Sequence, residues 1–211
     1  MADINKLIGE LAQEVITVKP APHPFILSTK WMAGAAAYLA LALLISGTRA
    51  DLMAKFQEPL FALEVAALLG LFVATSISAA LLSYPDMHQM RHVAYTPFAT
   101  LALLVLVMLL AWRADVPPVP SPIHGFQCTI ELTLLSLLPI AWMFYAMRKF
   151  ASTHLRWAGS IALLFAFSIG ALWLRLAEQT DSTMHLIQWH YLPVIAFGIA
   201  GLWLGKTLLK W

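Results

Sequence analysis

Three side chains capable of chemistry stand close together in His124-Gly125-Phe126-Gln127-Cys128-Thr129-Ile130-Glu131: an imidazole, the only thiol of the chain and a carboxylate. At spacings of four and three, His124, Cys128 and Glu131 share one face if a helix already runs through His124, and Gly125 leaves that start open. Glu64, Arg113, Arg175, His185 and His190 fall near the ends of other apolar runs. One thiol, three imidazoles and a carboxylate are ligand types for a soft or borderline metal ion. His185 and His190, however, are five residues apart, about 140° around a regular helix, so spacing alone does not bring them together. No four-ligand motif is written in the chain, and the metal stays unassigned. Cys128 has two readings, a small buried apolar residue or a thiol that reacts with oxidants and metals beside a helix N-terminus. As a lone cysteine it can form a disulfide only with another molecule. Glu64 and Arg175 are read first as a structural pair, since charges inside a membrane need partners whatever the function. Arg175 and Arg113 are the natural partners of Glu64 and Glu131.

The elements that must position these groups follow from composition. Of 211 residues, 61% are hydrophobic and 11% charged, against roughly 25% charged in an ordinary soluble domain. Apolar runs of about 20 residues, the length that spans hydrocarbon, occupy 28–47, 59–82, 93–112, 128–147, 157–176 and 186–208. The fold class is an all-α membrane protein with six transmembrane helices, consecutive ones antiparallel. Residues 27–211 form this domain, and 1–26 form a cytoplasmic amphipathic helix with a Pro-rich spacer. With the N-terminus inside, Lys6, Lys19, Lys30, Arg91, Arg148, Lys149, Arg156, Lys206 and Lys210 face the cytoplasm, and Arg49, Lys55, Arg113 and Arg175 face outward. That bias puts both termini in the cytoplasm and His124–Glu131 at the outer face. Trp31, Trp157 and Trp211 mark inner ends and Trp112, Trp173 and Trp189 outer ends, while Trp142 and Trp203 are read as packing residues.

The first residues lack the apolar core of a signal peptide. Instead Ile4, Leu7, Ile8, Leu11 and Val15 recur at helical spacing, an apolar stripe too short to span. It is either a helix tucked against the membrane or a docking helix for a partner's groove. Signatures of membrane enzymes are missing: there is no His-Glu-x-x-His, no Gly-x-Ser-x-Gly and no phosphate-binding glycine loop. Neither an enzyme nor a resident cofactor is expected, and the small net charge of +2 gives no reason to expect direct nucleic-acid binding.

Several pieces, in order, resemble the NrsF-like anti-sigma factors, six-helix inner-membrane proteins. They are Leu7-Ile8-x-x-Leu11-Ala12 with the spacer after it, His124-Gly125-Phe126-x-Cys128 with Leu135-Ser136-Leu137-Leu138-Pro139, Arg156-x-Ala158-Gly159, Trp189-His190-x-x-Pro193, and Gly205-Lys206-x-Leu208-Leu209-Lys210-Trp211. The resemblance implies sequestration of an extracytoplasmic-function sigma factor at the cytoplasmic face, and its release on an outside stress, metal or oxidative. Sigma binding is expected at the apolar stripe Ile4, Leu7, Ile8, Leu11 and Val15; for sensing the resemblance carries over Cys128 alone, and His124 and Glu131 join it by their spacing. Glu64, Arg175, His185 and His190 give structural or sensing support. The family's second cysteine, near the end of the fifth helix, is replaced here by Arg175-Leu176-Ala177, which removes a two-thiol switch. The rival expectation is a small transporter or metal-handling protein using the outer Cys, Glu and His groups.

Overall fold

A computed structural model describes residues 21–85, 90–114, 125–150 and 152–210, together with Ile4, Lys6, Ile8 and Gly9. Among these residues there is no strand, and six helices are long and apolar enough to cross a membrane. They are α1 (Pro24–Ser46), α2 (Pro59–Leu82), α3 (Arg91–Ala114), α4 (Gly125–Met147), α5 (Leu155–Ala177) and α6 (Thr183–Leu208). Each coincides with a run expected from the sequence to within a few residues. In lipid the backbone must satisfy its own hydrogen bonds, which is why every apolar run becomes a helix. Pro24 and Pro59 stand in the first turns of α1 and α2, where a missing N–H removes no helical bond. Gly47, with φ 82°, stops α1 in a conformation that side chains disfavour and turns the chain toward Arg49.

α5 is the axis of the bundle. Of its most apolar stretch 83% is buried inside the protein, against 22% for α1 and 28% for α3. Phe165, Phe167, Ile169 and Leu172 fill the centre. Phe72 of α2 stacks on Phe165 at 5.3 Å between centroids, and Phe197 of α6 stacks on Phe167 at 4.3 Å. The peripheral helices turn their large apolar side chains outward, as lipid-facing helices do.

The α5–α6 contact is a backbone contact. A Cβ added to Gly205 would run into the Leu155 carbonyl oxygen and lie 2.9 Å from Gly159 Cα; one added to Gly201 would lie 2.6 Å from Ser160 Cα. Gly201 and Gly205 are four residues apart, the small-xxx-small spacing that lets membrane helices approach closely. Ser160 Oγ then donates to the Gly198 carbonyl at 2.7 Å. Trp142 closes over Gly34 as a packing residue. Trp203 does not pack: it is 65% exposed, because the glycine face of α6 meets α5 and Trp203 lies off that face.

At the end of the bundle opposite Cys128, Lys30, Arg91, Arg148, Lys149, Arg156, Lys206 and Lys210 are all exposed. Ile4 and Ile8 are helical and exposed, while Leu7, Leu11 and Val15 lie outside the described residues.

Replacing Gly205 with alanine is expected to destabilise the bundle by about 1–3 kcal/mol, the usual range for overpacking. The readout is a lower thermal midpoint in detergent. Gly70→Ala is the control, since its methyl would meet only the Thr100 methyl at 3.8 Å.

Candidate functional site

The end of the bundle formed by the 47–58 and 178–182 connections holds two desolvated guanidiniums, and their partners fix how the helix ends meet. Arg175 near the end of α5 lies 3.0 Å from Glu64 Oε2 in α2 and 3.3 Å from Asp181 Oδ1. Tyr191 of α6 donates a short hydrogen bond to the other Glu64 oxygen. Arg49 meets Asp51 at 2.7 Å and Asp181 at 3.1 Å, and Lys55 reaches Asp181 at 2.9 Å. Both guanidiniums lie over the ring of Phe61, at 4.5 Å for Arg175 and 5.5 Å for Arg49. The Arg49 amide donates to the Leu176 carbonyl at 2.9 Å, so the α1–α2 connection is tied to the end of α5 by backbone as well. A cavity of about 190 Å³, bordered by Lys55, Glu64, Arg175 and Asp181 and by apolar residues such as Leu60, Met108 and Leu186, adjoins this network and has room for water.

Beside the network four ligand-type side chains converge. One donor atom each from Cys128, Glu178, His185 and His190 lies within 4.8 Å of the other three. Cys128 Sγ donates to Glu178 Oε1 at 3.5 Å; His185 Nε2 lies 3.5 Å from Glu178 Oε1, and His190 Nε2 lies 3.0 Å from Glu178 Oε2. The two imidazoles are 0% and 1% exposed, and none of their ring nitrogens makes a well-aligned hydrogen bond. Glu178 is oriented by Thr180 Oγ1, which donates to Oε1 at 2.7 Å. Burial by itself would raise the Glu178 carboxyl, but His190 and Thr180 outweigh it and hold the group down at about 2.

Three local features bring the four groups together. His185 immediately precedes a π-wound segment, Leu186–Tyr191, whose i to i+5 hydrogen bonds bring residues five apart toward one face. The two imidazoles accordingly meet edge to face at 5.2 Å. Spacing on a regular α-helix does not bring His185 and His190 together; the π winding does. Gly125 supplies the second feature: a Cβ there would collide with the Trp189 indole, so only glycine lets the first turn of α4 lie against the π segment. Thr129 Oγ1 fastens the contact by donating to the Trp189 carbonyl at 2.8 Å. The 178–182 connection is the third, because it carries Glu178 back under α4 and α6.

Of the residues singled out from sequence, Cys128, His185 and His190 share this cluster, and Glu64 with Arg175 forms the adjoining ion pair. Glu131 faces outward and takes no part in the cluster; Arg113 is likewise exposed. His124 lies outside the described residues. Glu178, Asp181, Arg49 and Tyr191 were missed as site residues. The only sequence signal for Glu178 and Asp181 is the polar run Glu178-Gln179-Thr180-Asp181-Ser182 wedged between two apolar segments.

The family model for the negative regulator of sigma F matches residues 11–211. The chain is also 30% identical over 100 residues to the anti-sigma-F factor NrsF of Caulobacter vibrioides. That alignment takes in 46% of this chain and 47% of the relative, so the match spans about half the length of the curated protein. No solved structure matches.

Asp181 gives this end of the bundle an acid-sensitive joint. Burial would raise its carboxyl, but Arg49 and Lys55 outweigh it and hold it at about 2 rather than the ordinary 3.8. A depressed folded value stabilises above the unfolded one, and that contribution disappears as pH falls from about 4 to about 2. Unfolding followed against pH in detergent should lose stability across this window. Asp181→Asn should be less stable at neutral pH and show a shallower acid decline.

Proposed function

The chain belongs to the NrsF family of negative regulators of sigma F, and from that premise we propose that it is a multi-pass inner-membrane anti-sigma factor. It holds an extracytoplasmic-function sigma factor through its cytoplasmic N-terminal segment and releases it when a signal reaches the Cys128 end of the bundle. The family match across residues 11–211 carries this reading. Ile4 and Ile8 support it as exposed helical residues on the stripe that Leu7, Leu11 and Val15 continue in sequence. An exposed apolar stripe on a short helix suits insertion into a groove of a partner.

The ends of the bundle are chemically different, which suits a regulator that receives at one and acts at the other. One end is exposed and basic; the other concentrates buried guanidiniums, imidazoles and Glu64 with the half-buried Glu178, Asp181 and Cys128. Both termini then face the cytoplasm and the Cys128 end faces outward. Signal passes as altered packing of helix ends, a movement of packed elements with more than one arrangement. The convergence of Cys128, Glu178, His185 and His190 also favours a second reading, a metal-handling or transport protein. Metal uptake into proteoliposomes in the absence of any partner would select it.

Changing Leu7 and Leu11 together to aspartate places two charges on the docking stripe. The double variant is expected to insert in the membrane as before and to lose co-purification of its cognate sigma factor by more than tenfold. Unchanged co-purification would reject the N-terminal docking role.

A further inference from the structure

We infer that Cys128, Glu178, His185 and His190 form a single four-ligand site for a borderline divalent d-block cation of the zinc type. The ion is held as a neutral complex by one thiolate, one carboxylate and two imidazoles. The inference rests on the anti-sigma reading only for its regulatory meaning; binding stands on the geometry alone.

Ligand atoms around a tetrahedral ion with metal–ligand distances near 2.0–2.3 Å lie about 3.5 Å from each other. Cys128 Sγ and His185 Nε2 each lie 3.5 Å from Glu178 Oε1, already at that spacing, and His190 Nε2 lies 3.0 Å from the other carboxylate oxygen. With one ligand atom per residue the whole set lies within 4.8 Å, so closure needs side-chain shifts of about 1 Å. Two imidazoles with wholly buried rings and no aligned hydrogen-bond partner are the independent observation. Leaving buried donors and acceptors unpaired is costly, and coordination would satisfy one nitrogen of each ring. Thr180, already donating to Glu178, is the outer partner that orients the carboxylate ligand.

Charge selects the class of ion. On binding, the Cys128 thiol gives its proton to solvent, and thiolate plus carboxylate supply two negative charges. A divalent cation brings the site to zero net charge at a depth where uncompensated charge is expensive. A monovalent soft ion would leave the site negative, and a hard ion such as Mg²⁺ prefers oxygen ligands in octahedral geometry. With all four positions taken by protein the site is closed, the pattern of binding and structural rather than catalytic centres. Ligands come from α4, the α5–α6 connection, the residue before the π segment and the π segment itself, so occupancy would fasten three helix ends together.

Because Cys128 is the only thiol, the wild-type chain reports on its own site. The full chain, purified in detergent and freed of metal by chelation, is alkylated with and without stoichiometric Zn²⁺, and the reaction is followed by intact mass. Zn²⁺ is expected to slow alkylation at least tenfold, and Mg²⁺ to leave it unchanged. Co²⁺ as a spectroscopic probe should give visible bands of tetrahedral intensity with a thiolate charge-transfer band, both displaced by Zn²⁺. His190→Ala should weaken Co²⁺ binding by at least about tenfold, the scale on which even outer partners matter. Equal alkylation with and without Zn²⁺, or octahedral-type Co²⁺ bands lacking the thiolate transition, would overturn the site. The same preparations are tested for sigma-factor retention. Retention without Zn²⁺ protection sinks the metal site and leaves the regulator reading standing; protection without retention does the reverse.

Discussion

A guanidinium withdrawn from water must be met by carboxylates, and the chemically rich end of this bundle is built around two such groups. The Arg49 side chain is fully buried and that of Arg175 nearly so. Together they draw Glu64 from α2, Asp51 from the first connection and Asp181 from the last. Asp181 is shared by Arg49, Lys55 and Arg175, so a single carboxylate joins the 47–58 connection to the 178–182 connection. Such pairs add little net stability once desolvation is counted, yet removing one partner is severe. Their contribution is geometric: they set where the short connection after α5 runs. Glu178 lies on that connection, so the position of the cluster's carboxylate follows from charge pairing a few residues away.

The cluster depends equally on two departures from regular structure. A π-wound segment lines up two imidazoles that an α-helix would separate, and a glycine lets an indole sit where a side chain would begin. Both are locally unfavourable choices, tolerated because tight packing around α5 determines the rest of the fold. The centre of the bundle is held by aromatic stacking and by backbone contact between α5 and α6, and buried hydroxyls such as Thr75, Ser136 and Ser168 donate to carbonyls of their own helices. The ends are thereby left to meet chemical rather than packing demands.

The six helices were legible in the sequence because lipid forces each long apolar run into one conformation, and every run matches a helix to within a few residues. Arg175 was also legible as a partner of Glu64, since an intramembrane charge announces its need for another. The cluster itself was half legible. Cys128, His185 and His190 stood out by residue type, but spacing arguments assume regular winding, and that assumption separated the two histidines. Glu178 was illegible for a different reason: across a turn no periodicity links a residue to its neighbours in space. Gly125, which made the start of α4 ambiguous in sequence, finds its explanation in Trp189, 64 positions later in the chain. Trp203 misled because hydrophobic bulk reads the same whether it meets protein or lipid.

The wide turn in α6 also sits between two grips. Toward one end of the helix, Gly198, Gly201 and Gly205 lock it against α5; toward the other, Trp189 is held by Gly125 and Thr129 of α4. A π segment carries one more residue per hydrogen-bonded ring than the helix around it, so it stores slack that regular winding lacks. The level of the imidazoles and the level of the glycine contact are thus set by different neighbours, α4 at one and α5 at the other. α6 therefore changes its winding between the level where it meets α4 and the level where it meets α5.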